Sequence, residues 1–113
     1  MAALSPDIER RALEVVPVLE RFGRVRRVYV FGSHVNGQPD EYSDIDIGAF
    51  MDFDEAWDFD RTHKLKMAVH NELGWQLEVH LFASTTLTDI PPASFAEYII
   101  ENGVKIWEEK GEG

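Results

Sequence analysis

The stretch Phe31-Gly32-Ser33-His34-Val35-Asn36-Gly37 (FGSHVNG), followed five residues later by Ser43-Asp44-Ile45-Asp46-Ile47 (SDIDI), is the most informative part of this chain. Upstream of it, Val25 to Phe31 is rich in Val, Tyr and Phe and stops at Gly32, which reads as a strand entering a turn. A glycine there lets backbone approach a phosphate closely. A serine opening a helical turn adds a hydroxyl and amide donors for an anion. Gly37 permits the chain to turn back. Asp44 to Met51 then alternates as a second strand, with Ile45 and Ile47 on one face and Asp44 and Asp46 on the other. Two carboxylates at i and i+2 of a strand repel one another unless a cation sits between them. Mg²⁺ suits such a place, because it takes one or two carboxylates and fills its shell with water and substrate phosphates. A lone Asp-x-Asp is weak in an acidic chain, as Asp52-x-Asp54 and Asp58-x-Asp60 show. The full spacing G-S-x(3)-G-x(5)-S-D-x-D is far more specific than its parts.

The elements around this stretch follow from periodicity and punctuation. Ser5, Pro6, Asp7 and Glu9 mark a helix start, and Ile8, Ala12, Leu13, Val15, Val16 and Leu19 supply its apolar stripe. Pro17 lacks an N–H and is expected to kink that helix or end it early. Glu55 to Leu73 reads as a long helix with Trp57, Leu65, Ala68 and Val69 as core contacts, stopped by Gly74. Trp75 to Phe82 alternates into a third strand. Leu77, Val79 and Leu81 share one face, which leaves Glu78 and His80 on the other. Ser84 to Pro92 is a loop, and Pro92 to Asn102 a last helix carrying Phe95, Tyr98 and Ile99 on one side. Val104 to Trp107 reads as a short edge strand before a frayed tail, 108–113. The order predicts an α/β (α+β) fold, a small mixed sheet flanked by helices, in one domain over residues 1–113.

Composition narrows the function. The 113 residues carry 21 acidic and 11 basic side chains, a formal net charge of −10, and no cysteine. Disulfides and cysteine nucleophiles are excluded, and direct nucleic-acid or anionic-membrane binding is disfavoured for want of basic surface. No run approaches the roughly 20 apolar residues of a membrane span, and the start shows no signal-peptide pattern. The expectation is a soluble cytoplasmic protein. Six arginines, Arg10, Arg11, Arg21, Arg24, Arg26 and Arg27, crowd the first quarter, so a locally positive face is expected there. Asp52 to Asp60 (DFDEAWDFD) lacks the central glycine and closing Glu of a calcium loop, and reads as acids at a helix start.

Gly32, Ser33, Gly37, Ser43, Asp44 and Asp46 resemble the signature of the nucleotidyltransferase superfamily related to DNA polymerase β. The length and single-domain organisation resemble its minimal nucleotidyltransferase (MNT) branch. The resemblance implies a third carboxylate on a later strand, and Glu78 occupies that position. It further implies that Asp44, Asp46 and Glu78 are catalytic metal ligands, holding two Mg²⁺ (or Mn²⁺) ions. Gly32 and Ser33, with Gly37 and Ser43, would then orient the phosphates of ATP or another NTP. The implied reaction transfers a nucleoside monophosphate, AMP in particular, to a hydroxyl. The implied partner is a HEPN-type toxin, with this chain as the antitoxin, in a homo- or hetero-oligomer. Two departures mark the chain. His34-Val35-Asn36 stands where many minimal members carry Arg and Ala, and Glu78 stands where Asp is more usual. Both leave room for an alternative, a catalytically weak or inactive protein of this fold that neutralises a partner by covering it.

Overall fold

A computed structural model describes residues 4–36 and 44–110. The elements are helices α1 (Pro6–Leu13) and α2 (Val15–Glu20), strand β1 (Val25–Phe31), the short α3 (Ser33–Asn36) and strand β2 (Ile45–Met51). There follow α4 (Phe59–Leu73), β3 (Leu77–Ala83), a 3₁₀ turn (Ser84–Leu87), α5 (Phe95–Asn102) and β4 (Val104–Glu108). The strands form one sheet in the order β3-β2-β1-β4. β1 runs antiparallel to both β2 and β4, while β2 and β3 are parallel and joined through α4. The mixed α+β architecture expected from the sequence is therefore the one observed.

Proline sets the first break. Pro17 has no N–H to give the carbonyl of Leu13, four residues back, and its ring crowds that carbonyl. The predicted single helix accordingly divides at Glu14, between α1 and α2. α4 begins later than the sequence suggests, at Phe59 rather than Glu55. The Asp58 carboxylate accepts a hydrogen bond from the Arg61 amide at 2.8 Å and so caps the helix at that point.

The sheet has apolar side chains on both faces. On one face Val28, Val30, Ile45, Ile47, Ala49, Met51, Leu77 and Val79 pack beneath α1, α2 and α4, against Val15, Leu19, Leu65 and Val69. This is the larger core. On the other face Tyr29, Phe31 and Phe50 form a smaller core with Ala96 and Ile99 of α5, with Phe82, Leu87 and Ile100 around them. Phe95 and Tyr98, expected on the buried side of α5, are instead 48% and 45% exposed. The inward stripe of that short helix is Ala96 and Ile99, and the aromatic residues flank it.

The C-terminal segment is tied down further than the tail reading allowed. Glu108 belongs to β4 and pairs with Arg27, and the Glu109 amide donates to the Arg26 carbonyl at 2.9 Å. The Glu109 carboxylate also receives Arg24 at 2.7 Å and Arg26 at 3.3 Å. Arg26 meets Asp52 as well, through two hydrogen bonds of 3.0 and 2.9 Å. Arg21 pairs with Glu72, Arg10 with Asp7 and Arg11 with Glu14. Each arginine of the expected positive face thus has an acidic partner. Among the tryptophans, Trp57 and Trp107 pack at the edge of the larger core. Trp75 is 67% exposed and stacks on His70 with ring centroids 4.3 Å apart.

Ile99 is the one fully buried side chain that α5 contributes to the smaller core. Its truncation, Ile99→Ala, is expected to cost about 2–5 kcal/mol, as for other buried aliphatic residues cut to alanine. Urea unfolding followed by circular dichroism measures this, and a loss below about 0.5 kcal/mol would show that α5 is not anchored there.

Candidate active site

The site lies where β1 ends and β2 and β3 begin. In the β1–β2 pairing Phe31 stands opposite Asp46, and in the parallel β2–β3 pairing Asp46 stands opposite Glu78. Directly paired residues project from the same face of a sheet, so Asp46 and Glu78 are side by side on the face that carries Phe31. Asp44 immediately precedes β2 and is exposed, as is Glu78, whereas Asp46 is partly buried. Burial pushes the Asp46 carboxyl above the ordinary carboxylate range. The neighbouring His80 opposes this, while the charges of Asp44 and Glu78 add to it. Asp46 thus lies close enough to both Asp44 and Glu78 to feel their charge.

Gly32 makes this gathering possible. It takes a left-handed φ of +85°, and a Cβ added to it would lie 2.5 Å from Asp46 Oδ2. No residue with a side chain fits without moving the carboxylate. Ser33, exposed, opens α3 directly after this glycine, and the Val35 amide donates to the Gly32 carbonyl at 3.0 Å. The turn and the acids thus meet at one end of the sheet. The other two predicted phosphate-site residues, Gly37 and Ser43, lie outside the described residues.

Two residues of the site's surroundings were given no role from sequence. His80, opposite Gly48 in the β2–β3 register, lies on the carboxylate face with its Nε2 3.8 Å from Asp46 Oδ1. Its spacing of two from Glu78 already placed it on that face. Phe95 packs against His80 and Phe31 from above, with ring centroids 5.6 and 5.4 Å apart. Its periodicity within α5 suggested core, and nothing in the sequence marked it otherwise.

The donor set is hard oxygen, which is the chemistry of Mg²⁺. Among the described residues no group of three His, Cys, Asp or Glu side chains is placed to enclose an ion. The arrangement fits an open site, in which one or two carboxylates hold an ion and water and substrate phosphates complete the shell, rather than a closed structural one. A depression of about 410 Å³ lies elsewhere, lined by Arg26, Arg27, Ser84, Thr85, Leu87 and Thr88. None of the three carboxylates lines it, and its arginines are engaged by Asp52, Glu108 and Glu109. Chemistry, not cavity size, locates the site.

A glycine-serine turn against strand-borne carboxylates is the arrangement that the nucleotidyltransferase-like signature of the sequence implies. The family model described as polymerase beta, nucleotidyltransferase matches residues 14–112. The chain belongs to that family. Solved structures share its fold. A Sulfolobus solfataricus protein assigned as a nucleotidyltransferase superposes with a TM-score of 0.62 at 18% identity, covering 90% of this chain and 81% of its own. A toxin–antitoxin structure with AMP-PNP gives 0.59 at 19% identity, covering 90% of this chain and 74% of that one. A complex of a tri-AMPylated Shewanella oneidensis HEPN toxin with its MNT antitoxin gives 0.55 at 16%, covering 90% and 73%. No curated protein matches the sequence.

Two outcomes follow from this geometry. Gly32→Ala is expected to destabilise the fold by about 1–3 kcal/mol through backbone strain and the collision with Asp46. Part of that loss should be recovered in the double variant with Asp46→Ala, and additive unfolding free energies would show that the two residues do not meet. Asp46→Asn is expected to stabilise the metal-free protein at neutral pH. A carboxyl held high favours its protonated form in the fold, so its contribution to stability is lost as pH rises through the native value. The site is partly open and screened, so the gain is at most about 1 kcal/mol, a few degrees in Tm. The difference from wild type should vanish as pH falls below the Asp46 titration, and a lower Tm for the variant at pH 7 would contradict the electrostatic account.

Proposed function

We propose that this protein is a minimal-type nucleotidyltransferase that moves a nucleoside monophosphate, AMP from ATP in the first instance, onto a hydroxyl of a partner protein. The partner is a HEPN-type toxin, for which this chain is the cytoplasmic antitoxin. One observation carries the catalytic reading: Asp44, Asp46 and Glu78 are gathered at the sheet end that also bears the Gly32–Ser33 turn. The choice of nucleotide and partner draws support from structures of like fold, one holding AMP-PNP and another a tri-AMPylated HEPN toxin with its antitoxin.

Each part of the site has a task in this reading. Asp44 just before β2, Asp46 in β2 and Glu78 in β3 would hold divalent cations, Mg²⁺ or Mn²⁺, at the end of the sheet. Bound there, the ions neutralise phosphate charge and favour ionisation of the acceptor hydroxyl. The Gly32 backbone and the Ser33 hydroxyl orient the β- and γ-phosphates. The acceptor oxygen forms a bond to the α-phosphorus in line with the bridge to the β-phosphate. That bridge breaks, pyrophosphate leaves with the bonding pair, and the hydroxyl proton passes to water. Cations held by these acids would offset the charge conflict between the acids and the phosphates.

The rival reading, a non-catalytic protein that covers its partner, is favoured by His34-Val35-Asn36 standing where Arg and Ala are common and by Glu78 standing where Asp is more usual. The two separate in one experiment. The protein is incubated with Mg²⁺, α-labelled ATP and the candidate toxin, beside the double variant Asp44→Asn, Asp46→Asn. The expected result is a labelled toxin with wild type and only background label with the variant, with the circular dichroism spectrum unchanged. Label transfer at the wild-type rate in the variant would overturn the catalytic reading, and toxin neutralisation without any label would establish the rival.

A further inference from the structure

We infer that the ring of Phe95 is the seat on which the base of the nucleotide substrate stacks, an inference that rests on the nucleotidyltransferase reading above. Phe95 is the first residue of α5 and is 48% exposed, yet it is not loose. Its ring meets Phe31 at 5.4 Å and 85°, His80 at 5.6 Å and 86°, and Phe82 at 5.9 Å and 70° between centroids and planes. His80 in turn reaches Asp46, with 3.8 Å between Nε2 and Oδ1. A half-exposed apolar ring therefore stands one side chain away from the carboxylate of the phosphate site. A nucleotide has the matching shape, a charged phosphate end and, a sugar's length away, a flat ring with an accessible π-face. Stacking on an aromatic side chain is how proteins hold such a ring without reading its hydrogen-bonding edge.

The helix does not need Phe95 for its own anchorage, because Ala96 and Ile99 supply the buried contacts. What holds the ring in place is the way the helix begins. Ala93 adopts a left-handed φ of 58°, a conformation costly for a residue with a Cβ. Its amide donates to the Glu97 carboxylate at 3.0 Å, and the Glu97 amide donates to Ser94 Oγ at 3.1 Å. The Ser94 hydroxyl donates to the Pro91 carbonyl at 2.6 Å. This Ser-x-x-Glu cap fixes the first turn, where a helix end would otherwise fray, and keeps Phe95 against His80. Tyr98, one turn further along α5, is 45% exposed and continues the aromatic rim. Stacking alone predicts tolerance of base identity, with purines held more firmly than pyrimidines.

The test uses the full chain with Mg²⁺ and the triphosphate of 2-aminopurine riboside, whose fluorescence falls when its base stacks. Inorganic tripolyphosphate serves as a ligand without a base. With wild type, quenching on binding is expected, reversed by ATP. Phe95→Leu should abolish the quenching and weaken ATP by roughly five- to a hundred-fold while leaving tripolyphosphate affinity unchanged. Phe95→Trp should restore both quenching and ATP affinity, and it carries the test if leucine unsettles α5. Equal ATP affinity in wild type and Phe95→Leu, or an Asp44- and Asp46-dependent transfer reaction with no quenching, would overturn the stacking seat and leave the nucleotidyltransferase reading standing. Failure of wild type to bind either ATP or tripolyphosphate would overturn both.

Discussion

The close approach of Gly32 to Asp46 is the contact on which the site depends. It exists only because β1 and β2 pair with Phe31 opposite Asp46, which brings the turn leaving one strand against the carboxylate entering the other. The register is enforced from the far side of the sheet. Ile45 and Ile47 are fully buried in the larger core, and a slip of one residue would place Asp46 there in their stead. Apolar packing on one face therefore holds charged groups together on the other. The same logic extends to β3. The Ile45 amide donates to the Gln76 carbonyl at 2.8 Å, which aligns the two strand starts and sets Glu78 beside Asp46.

The two faces of the sheet differ in how much cover they receive, and that difference makes room for chemistry. Three helices bury one face. Among the described residues the other is covered by α5 and by Leu87 of the 3₁₀ turn, with α5 brought close by glycines rather than by large side chains. A Cβ at Gly48 would stand 3.1 Å from Ile99 Cγ2, and one at Gly103, the C-cap of α5, would stand 3.0 Å from the Val30 carbonyl oxygen of β1. With α5 drawn down onto the middle of the sheet, the end bearing Asp46, Glu78 and His80 stays partly open. A second helix over this face would strengthen the core and close the site.

Much of this was legible in the sequence, because strand alternation is a strict code. Ile45 and Ile47 against Asp46, and Leu77 and Val79 against Glu78, assign the two faces without any structure. The glycine before Ser33 was legible as a turn, although its collision distance from Asp46 belongs to pairing and not to local sequence. Helix boundaries were harder. Glu55 to Asp58 has helical composition, but the Asp58 side chain accepts from the Arg61 amide and starts the helix at Phe59. Phe95 was misplaced because periodicity cannot tell an aromatic residue that packs inward from one that rests on other rings at a rim. The arginine cluster misled for a similar reason. Its partners, Glu72, Asp52, Glu108 and Glu109, lie far along the chain, and only folding brings them to it.

Those pairings change what a net charge of −10 means here. Several acids remote from the site are paired with arginines. Arg26 and then Ser84 hold the Asp52 carboxyl below its ordinary range, Arg21 does so for Glu72, and Arg24 for Glu109. A carboxyl held low stabilises the fold at neutral pH, a contribution present above its unfolded value and lost as pH falls through the native one. Asp46 is the reverse case, partly buried, flanked by Asp44 and Glu78, and held high. The fold thus pairs Asp52, Glu108 and Glu109 with arginines at the far end of the sheet and leaves a group of like charges at the end that bears the turn. An arginine at that end would have relieved the repulsion and, being permanently charged, would also have competed with any divalent ion. Electrostatic cost thus falls on the carboxylates beside the glycine turn, while the arginine-paired acids lie elsewhere.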